Sequence, residues 1–513
     1  MLLPNSLQRF STYKSNTPTQ LSLKYSFIIF MNREELATVT SRQVLAGLKW
    51  TTLVRVLAQM ISWVMSIIVI HYIKPEDFGL KSMAEITLAL LNVLSSGGME
   101  SAIIYSKNLN RDKISKVFGL LIIINILLFA MQIFGAYPLS KYYNEPKVLL
   151  VAQVMAFGFL LIPFISIPSA LLSREMDFKL LTTVSLIANL VGVAVVLFLA
   201  ISGYGVWALI AGPLAINFLQ AIILNIYKPC LPRPNFSFSG VTDIARFGGT
   251  IILASLLWMA YSKADIFIAG RFISIHDVGL YSVAFYLASL PIDKIMPILH
   301  QVAFPAYSRL RDDHEVVAKY FLKAVRLTSL VLLPLSFGLA GIAEYIVPMV
   351  FGNEWTDMIQ VLIILCIIFP LRGIVSLCAN MTSAIGQPRI NLQYGLLASI
   401  IMIPAFITSI HYGILGLSLV WLLIFPWIML INVLSSIRVI KLTFRSYLRA
   451  VIPPLFVSAI MLGGLLCFTS TGTIIYNTGV TLCIMVSTGA FLYVGGMFVL
   501  SKHRLVELYN LSK

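Results

Sequence analysis

The sequence predicts an all-α integral membrane protein with about fourteen transmembrane helices. Hydrophobic residues make up 59% of the 513 positions and charged residues only 11%, and the mean hydropathy is +0.91. Soluble domains carry about 25% charged residues, so the bilayer must be the main solvent of this chain. A spanning helix needs about 20 mostly apolar residues, and about fourteen such helices leave no room for a separate soluble domain.

Long apolar runs follow one another along the chain and set the order of the predicted helices. Several runs contain proline or glycine, which membrane helices tolerate where neighbouring groups satisfy the freed backbone. The runs fall at 44–72, 78–105, 114–137, 146–172, 179–201, 204–228, 243–270, 277–305, 319–343, 357–384, 390–411, 413–437, 447–469 and 474–500.

Lys and Arg residues concentrate in alternate connections between these runs. With the N-terminus in the cytoplasm, the outer connections hold only Lys74, Lys81, Lys141, Lys147 and Arg271. By the positive-inside rule this predicts two cytoplasmic termini and therefore an even number of spans. Topology also explains the net charge of +16 better than a nucleic-acid surface, which would gather its bases on one solvated face.

An internal repeat divides the chain into two halves. Residues 72–82 read YIKPEDFGLKS after the first predicted span, and residues 272–282 read FISIHDVGLYS after the seventh. Two shorter matches follow in the same order, Asn144-Glu145 with Asn353-Glu354 and Tyr204-Gly205 with Tyr412-Gly413. The repeat predicts two six-helix lobes of equal orientation, related by a pseudo-two-fold axis along the membrane normal, with two extra C-terminal helices.

These patterns set the predicted boundaries along the chain. The first residues are rich in Ser, Thr, Asn and Gln, which predicts a disordered tail, and Met31 is a plausible alternative start. We predict a cytoplasmic tail at 1–43, an N-lobe of spans one to six at 44–228, a cytoplasmic inter-lobe loop at 229–242, a C-lobe of spans seven to twelve at 243–440, and spans thirteen and fourteen with a cytoplasmic tail at 441–513.

Several charged residues lie within the apolar runs. A Lys or Arg at the centre of a spanning helix costs about 2.5 to 3.5 kcal/mol on insertion scales if it faces lipid, so these side chains should face a wet interior. Bases exceed acids by four to two, which suits an anion such as a diphosphate. The residues are Arg55, Lys263, Asp265, Asp293, Lys294 and Arg372.

Structural pairing is an equally good explanation for four of these charges. Lys263 and Asp265 are two positions apart and do not face each other on a helix, but either could pair with Asp293 or Lys294 across spans seven and eight. Arg372 lies in the middle of its span with no acid nearby in sequence, so it is the clearer candidate for contact with a ligand.

Arg55 and the two acids each have a further possible role. Arg55 lies in the cytoplasmic third of its span and could extend to the interface instead of facing a cavity. Asp265 and Asp293 are candidates for coupling transport to protons or sodium. We read Arg55, Lys263, Lys294 and Arg372 as the candidate substrate-binding residues.

Motifs of catalysis and of cofactor binding are missing from the sequence. It has no phosphate-binding loop, no GxSxG, no HExxH and no long outer loop with paired acids. Its five cysteines and six histidines show no spacing typical of a metal site. The sequence therefore predicts a protein that is not an enzyme and has no cofactor or metal.

Seven segments of the sequence resemble the Wzx-type polysaccharide flippases, closest to the colanic-acid exporter branch, within the multidrug, oligosaccharidyl-lipid and polysaccharide exporter superfamily. FPAYSRLRDD followed about forty residues later by VFGNEW is the most specific pair. The segments are FGLKS at 78–82, GGMESAII at 97–104, LLSREMDF at 171–178, SKADIFIAGRF at 262–272, VGLYSVAFYLASLP at 278–291, FPAYSRLRDD at 304–313 and VFGNEW at 350–355.

The resemblance implies a two-lobed helical fold in the bacterial inner membrane and a polyprenyl-diphosphate-linked oligosaccharide as substrate. It places Lys263 and Asp265 on the family's basic-x-acid pattern, and Lys294 on a lysine between the two prolines of span eight. Arg55 and Arg372 rest on the membrane-charge argument alone. Membrane lipids are the other expected partners, and pairing with a polysaccharide polymerase stays open.

Two other functions fit the predicted fold less well. A drug or cation antiporter would need a net acidic cavity, which the excess of bases opposes. A membrane-embedded polymerase or ligase would need long outer loops with catalytic acids or histidines, and the sequence lacks them.

Overall fold

In the computed structural model, the described residues are 68–69, 71–95, 103, 111–175, 177–228, 233–236, 242–470 and 478–512. The predicted tail at 1–43, the predicted substrate-binding residue Arg55 and almost all of the first predicted span lie outside these ranges.

The described chain is helical, as predicted. Fourteen α-helices follow one another, and a short 3₁₀ turn precedes α9 and another precedes α11. The helices are α1 (Pro75–Ser95), α2 (Arg111–Tyr143), α3 (Lys147–Arg174), α4 (Phe178–Ile201), α5 (Val206–Tyr227), α6 (Thr242–Phe272), α7 (Ile275–Arg309), α8 (His314–Phe351), α9 (Ile359–Ala384), α10 (Arg389–Ser409), α11 (Gly413–Leu423), α12 (Phe425–Val439), α13 (Phe444–Ser470) and α14 (Thr478–Ser512).

Eleven segments within the described ranges are long and apolar enough to cross a membrane. One of them, Arg389–Val439, contains both the eleventh and the twelfth predicted spans. Helix α6 corresponds to the seventh predicted span but is not among the eleven. The chain is thus an all-helical multi-pass membrane protein, and the number of fourteen spans stays a prediction.

The twelfth predicted span is divided into two helices. Helix α11 ends at Leu423 and α12 begins at Phe425, so the break lies at Ile424. Pro426 occupies the first turn of α12, where its missing N–H removes no helical hydrogen bond. In contrast, α3 and α7 run without a break through the prolines that interrupt their apolar runs.

Local sequence sets where several helices begin. The side chains of Asp177, Ser274 and Asp313 precede α4, α7 and α8, and each accepts a hydrogen bond from a backbone N–H in the first turn of its helix. Such N-caps satisfy backbone donors that a helix leaves unpaired and stabilise it by about 1 kcal/mol. These residues fix the helix starts at the short connections.

The helices pack as two groups. We call α1–α5 the N-terminal helix group, in which α3 packs against α1, α2 and α5. We call α6–α12 the C-terminal helix group, in which α9 packs against α7, α8, α11 and α12. Helices α13 and α14 pack on each other and on α8. Helix α1 joins the two groups, because it also packs against α6 and α7.

An aromatic cluster occupies the core of the C-terminal helix group. The ring centroid of Trp421 lies 5.3 to 6.1 Å from those of Phe285, Phe369, Phe406 and Phe425. Trp421 is fully buried. We call these five residues the aromatic cluster, and it gives α7, α9, α10, α11 and α12 a common rigid centre.

The two copies of the sequence repeat meet in space where α1 and α7 begin. A Cβ atom added to Gly79 would lie 2.2 Å from the carbonyl oxygen of Ile275, and a Cβ added to Gly279 would lie 1.8 Å from that of Pro75. Only glycine permits backbones to approach this closely. We call these four residues the repeat contact. Each glycine of one repeat packs on the helix start of the other, so the contact is reciprocal.

Two side-chain contacts between the helix groups flank the repeat contact. Glu76 Oε1 lies 2.9 Å from His276 Nδ1, and the rings of Phe78 and Trp355 meet edge to face with centroids 5.6 Å apart. Glu76 and His276 occupy matching positions of the two repeats. The helix groups are therefore held together at this end of the bundle.

Candidate functional site

A cleft of about 560 Å³ lies between the two helix groups. Helices α1, α4 and α5 form one wall, and α6 and α7 form the other. Its described charged lining consists of Lys81, Glu85, Lys263 and Asp293. Charged side chains inside a membrane bundle are costly and mark polar interiors or substrate paths. We take this cleft as the candidate functional site.

The N-terminal wall of the cleft carries an ion pair. Lys81 Nζ lies 2.8 Å from Glu85 Oε2, because residues four apart project from the same face of a helix. Lys263, from the opposite wall, also interacts electrostatically with Glu85. Both helix groups thus contribute a lysine to one polar region.

The C-terminal wall carries Lys263 and Asp293. Lys263 is half-buried, and its ammonium group lies 5.8 Å from the centroid of the Phe285 ring. Asp293 is exposed and interacts electrostatically with Arg372, Lys294 and Lys263. No partner within the described ranges lies within ion-pair distance of Lys263 or Asp293. The pairing of charges across spans seven and eight that the sequence allowed is therefore not formed.

Asp265 lies away from the cleft, in the core of the C-terminal helix group. It is fully buried, and its Oδ2 accepts hydrogen bonds from the Tyr281 hydroxyl at 2.8 Å and the Trp421 indole N–H at 3.0 Å. Its Oδ1 accepts from the backbone N–H of Ile266 at 2.8 Å. The carboxylate is thus held by three donors and links α6, α7 and α11.

Arg372 stacks on the aromatic cluster. Its guanidinium carbon lies 4.7 Å from the ring centroids of Phe369 and Trp421 and 5.2 Å from that of Phe285. A guanidinium over an aromatic face is stabilised by the negative face of the ring, by about 0.5 to 2 kcal/mol per contact. Arg372 is half-buried and is not part of the cleft lining.

Arg372→Lys is expected to lower the stability of the protein, although it keeps the positive charge. Lysine lacks the planar guanidinium that stacks on aromatic rings, so the substitution loses the geometry of the site. We expect a loss of about 1 to 2 kcal/mol in the free energy of unfolding, close to that of Arg372→Met. Denaturant unfolding of the purified protein in detergent measures it. Full stability of the lysine variant would show that charge alone is needed.

The remaining predicted residue, Lys294, is exposed and does not line the cleft. The cleft instead contains Lys81 and Glu85, which were not among the predicted site residues. Their spacing of four within a predicted span was the signal that could have identified them. Lys81 was counted as an outer-loop base because it lies near the beginning of the apolar run 78–105.

Three curated proteins with related sequences span most of this chain. The teichuronic acid biosynthesis protein TuaB of Bacillus subtilis is 23% identical over 90% of this chain and 96% of its own length. The lipopolysaccharide biosynthesis protein WzxC of Escherichia coli is 24% identical over 81% and 85%. The succinoglycan biosynthesis transport protein ExoT of Rhizobium meliloti is 23% identical over 82% and 84%.

Two solved structures show the same fold. The lipid II flippase MurJ in an inward closed conformation superposes with a TM-score of 0.69 at 14% identity, covering 88% of this chain and 99% of MurJ. An inward-facing multidrug resistance MATE family transporter superposes with a TM-score of 0.50 at 16% identity, covering 80% and 98%. At these identities the likeness concerns the fold alone.

Comparison with the sequence model of a protein family shows which family this chain belongs to. The sequence model of one family, described as "Polysaccharide biosynthesis protein", matches residues 68–360, more than half of the chain. The match includes the repeat contact and the charged residues of the cleft. Together with the relatives above, it confirms the resemblance to Wzx-type flippases that the sequence motifs indicated. The chain belongs to the polysaccharide biosynthesis protein family of membrane proteins.

Proposed function

We propose that this protein flips polyprenyl-diphosphate-linked oligosaccharide units across the bacterial inner membrane by alternating access, with undecaprenyl diphosphate as the lipid carrier. A sugar headgroup cannot cross lipid unaided, since each hydroxyl stripped of hydrogen bonds costs roughly 2 to 7 kcal/mol. A polar cleft removes that penalty while the polyprenyl tail stays in lipid. The exported units would serve the synthesis of lipopolysaccharide, exopolysaccharide or capsule.

The single observation that supports this proposal best is a charged cleft between two helix groups in a membrane protein of this family. Lys81 and Lys263 approach it from opposite walls. A lysine 4 Å from a phosphate contributes at most about 4 kcal/mol at an effective dielectric near 20. In this proposal, both walls hold the diphosphate, so its binding depends on how the two groups are placed.

The proposed architecture has fourteen spans in two six-helix lobes with both termini in the cytoplasm. The lobes are 44–228 and 243–440, joined by the loop at 229–242, with spans thirteen and fourteen outside the pseudo-two-fold. The reciprocal packing of the repeat contact supports this symmetry. In the proposed orientation, the repeat contact lies at the outer end and closes the cleft there. Rocking of the lobes would open it.

The proposed substrate contacts include residues outside the cleft lining. Lys263 is the proposed contact with the strongest structural support. Arg55, Lys294 and Arg372 are proposed to meet the headgroup in other states of the transport cycle. Asp265 and Asp293 are the proposed candidates for coupling to a proton or sodium gradient.

The family favours a glycan over the drug or cation of an antiporter. The described cleft lining has two bases and two acids, so its charge balance alone does not separate the two substrates. The curated relatives named above are polysaccharide biosynthesis proteins, and this chain shares most of their length. We therefore propose an anionic lipid-linked glycan as the cargo.

Lys263→Ala is expected to slow headgroup translocation at least tenfold. The loss removes a charge-assisted contact, which contributes about 1.5 to 3 kcal/mol. The assay uses proteoliposomes with a fluorescent undecaprenyl-diphosphate-linked oligosaccharide and measures quenching of the label by an impermeant reductant. Lys141→Ala is the matched control, because Lys141 is exposed and is not among the residues that line the cleft. Equal flipping by both variants would remove Lys263 from the site.

A further inference from the structure

A second, smaller pocket opens beside the cleft inside the N-terminal helix group. It measures about 150 Å³ and lies between α1, α3 and α5. Lys81, Glu85, Leu209 and Pro213 line both this pocket and the cleft. We call it the side pocket. The cleft and the side pocket share the Lys81–Glu85 ion pair. A ligand that Lys81 binds in the cleft therefore lies next to the side pocket.

The side pocket presents two neutral amides. Asn92 projects from α1 and Asn217 from α5, and neither side chain donates or accepts a hydrogen bond within the described part of the chain. An amide offers two donors and an acceptor, and because Asn92 is exposed and Asn217 half-buried, both amides are accessible to a ligand. Phe159 and Leu214 form part of the apolar lining of the pocket. Unused amides beside apolar surface suit a ligand with hydroxyl groups and C–H faces.

We propose that the side pocket is a recognition subsite for one uncharged sugar ring of the lipid-linked glycan, namely the ring bonded to the diphosphate. This inference rests on the proposed function. The first ring is joined directly to the phosphate, so a phosphate at Lys81 places that ring against Asn92 and Asn217. The pocket volume is about ten times the space that one water requires, which is enough for a single ring but not for a chain of them.

A cation is a poorer occupant of the same pocket. Its described lining contains one acid, Glu85, and Lys81 already pairs with it. A sodium ion would have to approach the ammonium group of that lysine. Hard cations also prefer several oxygen ligands around one point, whereas the two asparagines, on α1 and α5, offer only one side-chain oxygen each.

The test uses purified protein in detergent and two kinds of probe. One probe is undecaprenyl diphosphate without sugar, and the other is a set of undecaprenyl diphosphates that each carry one neutral hexose or N-acetylhexosamine. We expect at least one sugar-bearing probe to bind about tenfold more tightly than the bare lipid, as two amide hydrogen bonds would give. Binding is measured by native mass spectrometry.

Two variants disable the proposed subsite by different routes. Asn217→Leu keeps the size of the side chain and removes its hydrogen bonds. Gly158→Leu fills the pocket, because a Cβ on Gly158 has no heavy atom closer than 3.8 Å and its side chain would extend past Leu214 and Asn217. Gly158→Ala is the matched control. We expect both Asn217→Leu and Gly158→Leu to lose the preference for the sugar-bearing probe while binding the bare lipid as the wild type does.

The outcomes separate this inference from the proposed function. If the bare lipid binds and no sugar improves binding, or if Asn217→Leu and Gly158→Leu keep the preference, the subsite is refuted while the flippase proposal stands. If no probe binds at all, both proposals are refuted. Binding of sodium that stabilises the wild type and is lost in Asn217→Leu would assign the pocket to a cation and would also refute the sugar subsite.

Discussion

Gly279→Ala is expected to force apart the repeat contact and to slow translocation strongly. The new Cβ would lie 1.8 Å from the carbonyl oxygen of Pro75. A backbone carbonyl at the start of α1 cannot move aside as a flexible side chain would, so the two helices must separate. If the proposed orientation is right, the variant cannot close the outer end of the cleft. We expect a loss of transport of at least tenfold, and a similar loss for Gly79→Ala, whose Cβ would lie 2.2 Å from the Ile275 oxygen.

A reporter cysteine distinguishes an open gate from a misfolded protein. Ser82 lines the cleft next to the repeat contact, so Ser82→Cys, in a chain without its five native cysteines, reports access from outside through an impermeant thiol reagent. We expect slow labelling in the parent chain and fast labelling with Gly279→Ala. Gly135→Ala is the control, since no atom lies within 4 Å of its added Cβ. Unchanged labelling would show that the repeat contact does not control access.

The sequence was sufficient to predict the helices, because burial in lipid demands long apolar runs whatever their packing. It also predicted the repeat, since FGLKS and VGLYS share a glycine at matching positions. It could not predict that these two glycines pack against each other's helix starts. That contact joins positions far apart in the chain, and nothing in a single sequence states the distance between α1 and α7.

The candidate site was harder to predict for a related reason. Composition identified intramembrane charges but not which of them face a common space, because that depends on the rotation of each helix. Lys263 and Asp293 line the cleft, whereas Asp265 points into the core of the C-terminal helix group, although it is only two positions from Lys263. Lys81 and Glu85 were passed over because they lie near the end of a predicted span, where a charged side chain can reach water; the structure shows that they pair with each other. Residues that pair within one helix can thus also line a site between helices, and their spacing in the sequence does not show this.

Asp265→Ala is expected to cause the largest loss of stability of any single substitution considered for this protein. It would leave the fully buried Tyr281 hydroxyl without its acceptor, and the Trp421 indole N–H with only its longer bond to the Tyr281 oxygen at 3.2 Å. An unpaired buried donor costs about 1 to 3 kcal/mol, so the loss at Tyr281 and the weaker bond at Trp421 together predict a loss of about 2 to 4 kcal/mol in the free energy of unfolding. Denaturant unfolding in detergent measures it, with Ser262→Ala as a neighbouring control.

Asp265→Asn then separates a structural role from ion coupling. Asparagine keeps one carbonyl oxygen in the position of the carboxylate, so we expect it to retain the bonds from Tyr281 and Trp421 and to lose about 1 kcal/mol. A structural acceptor needs no negative charge, and the asparagine variant should then flip its substrate at close to the normal rate. If Asp265→Asn folds with normal stability but no longer responds to a proton or sodium gradient, the charge itself is required, and Asp265 is a coupling residue that its three donors hold in place.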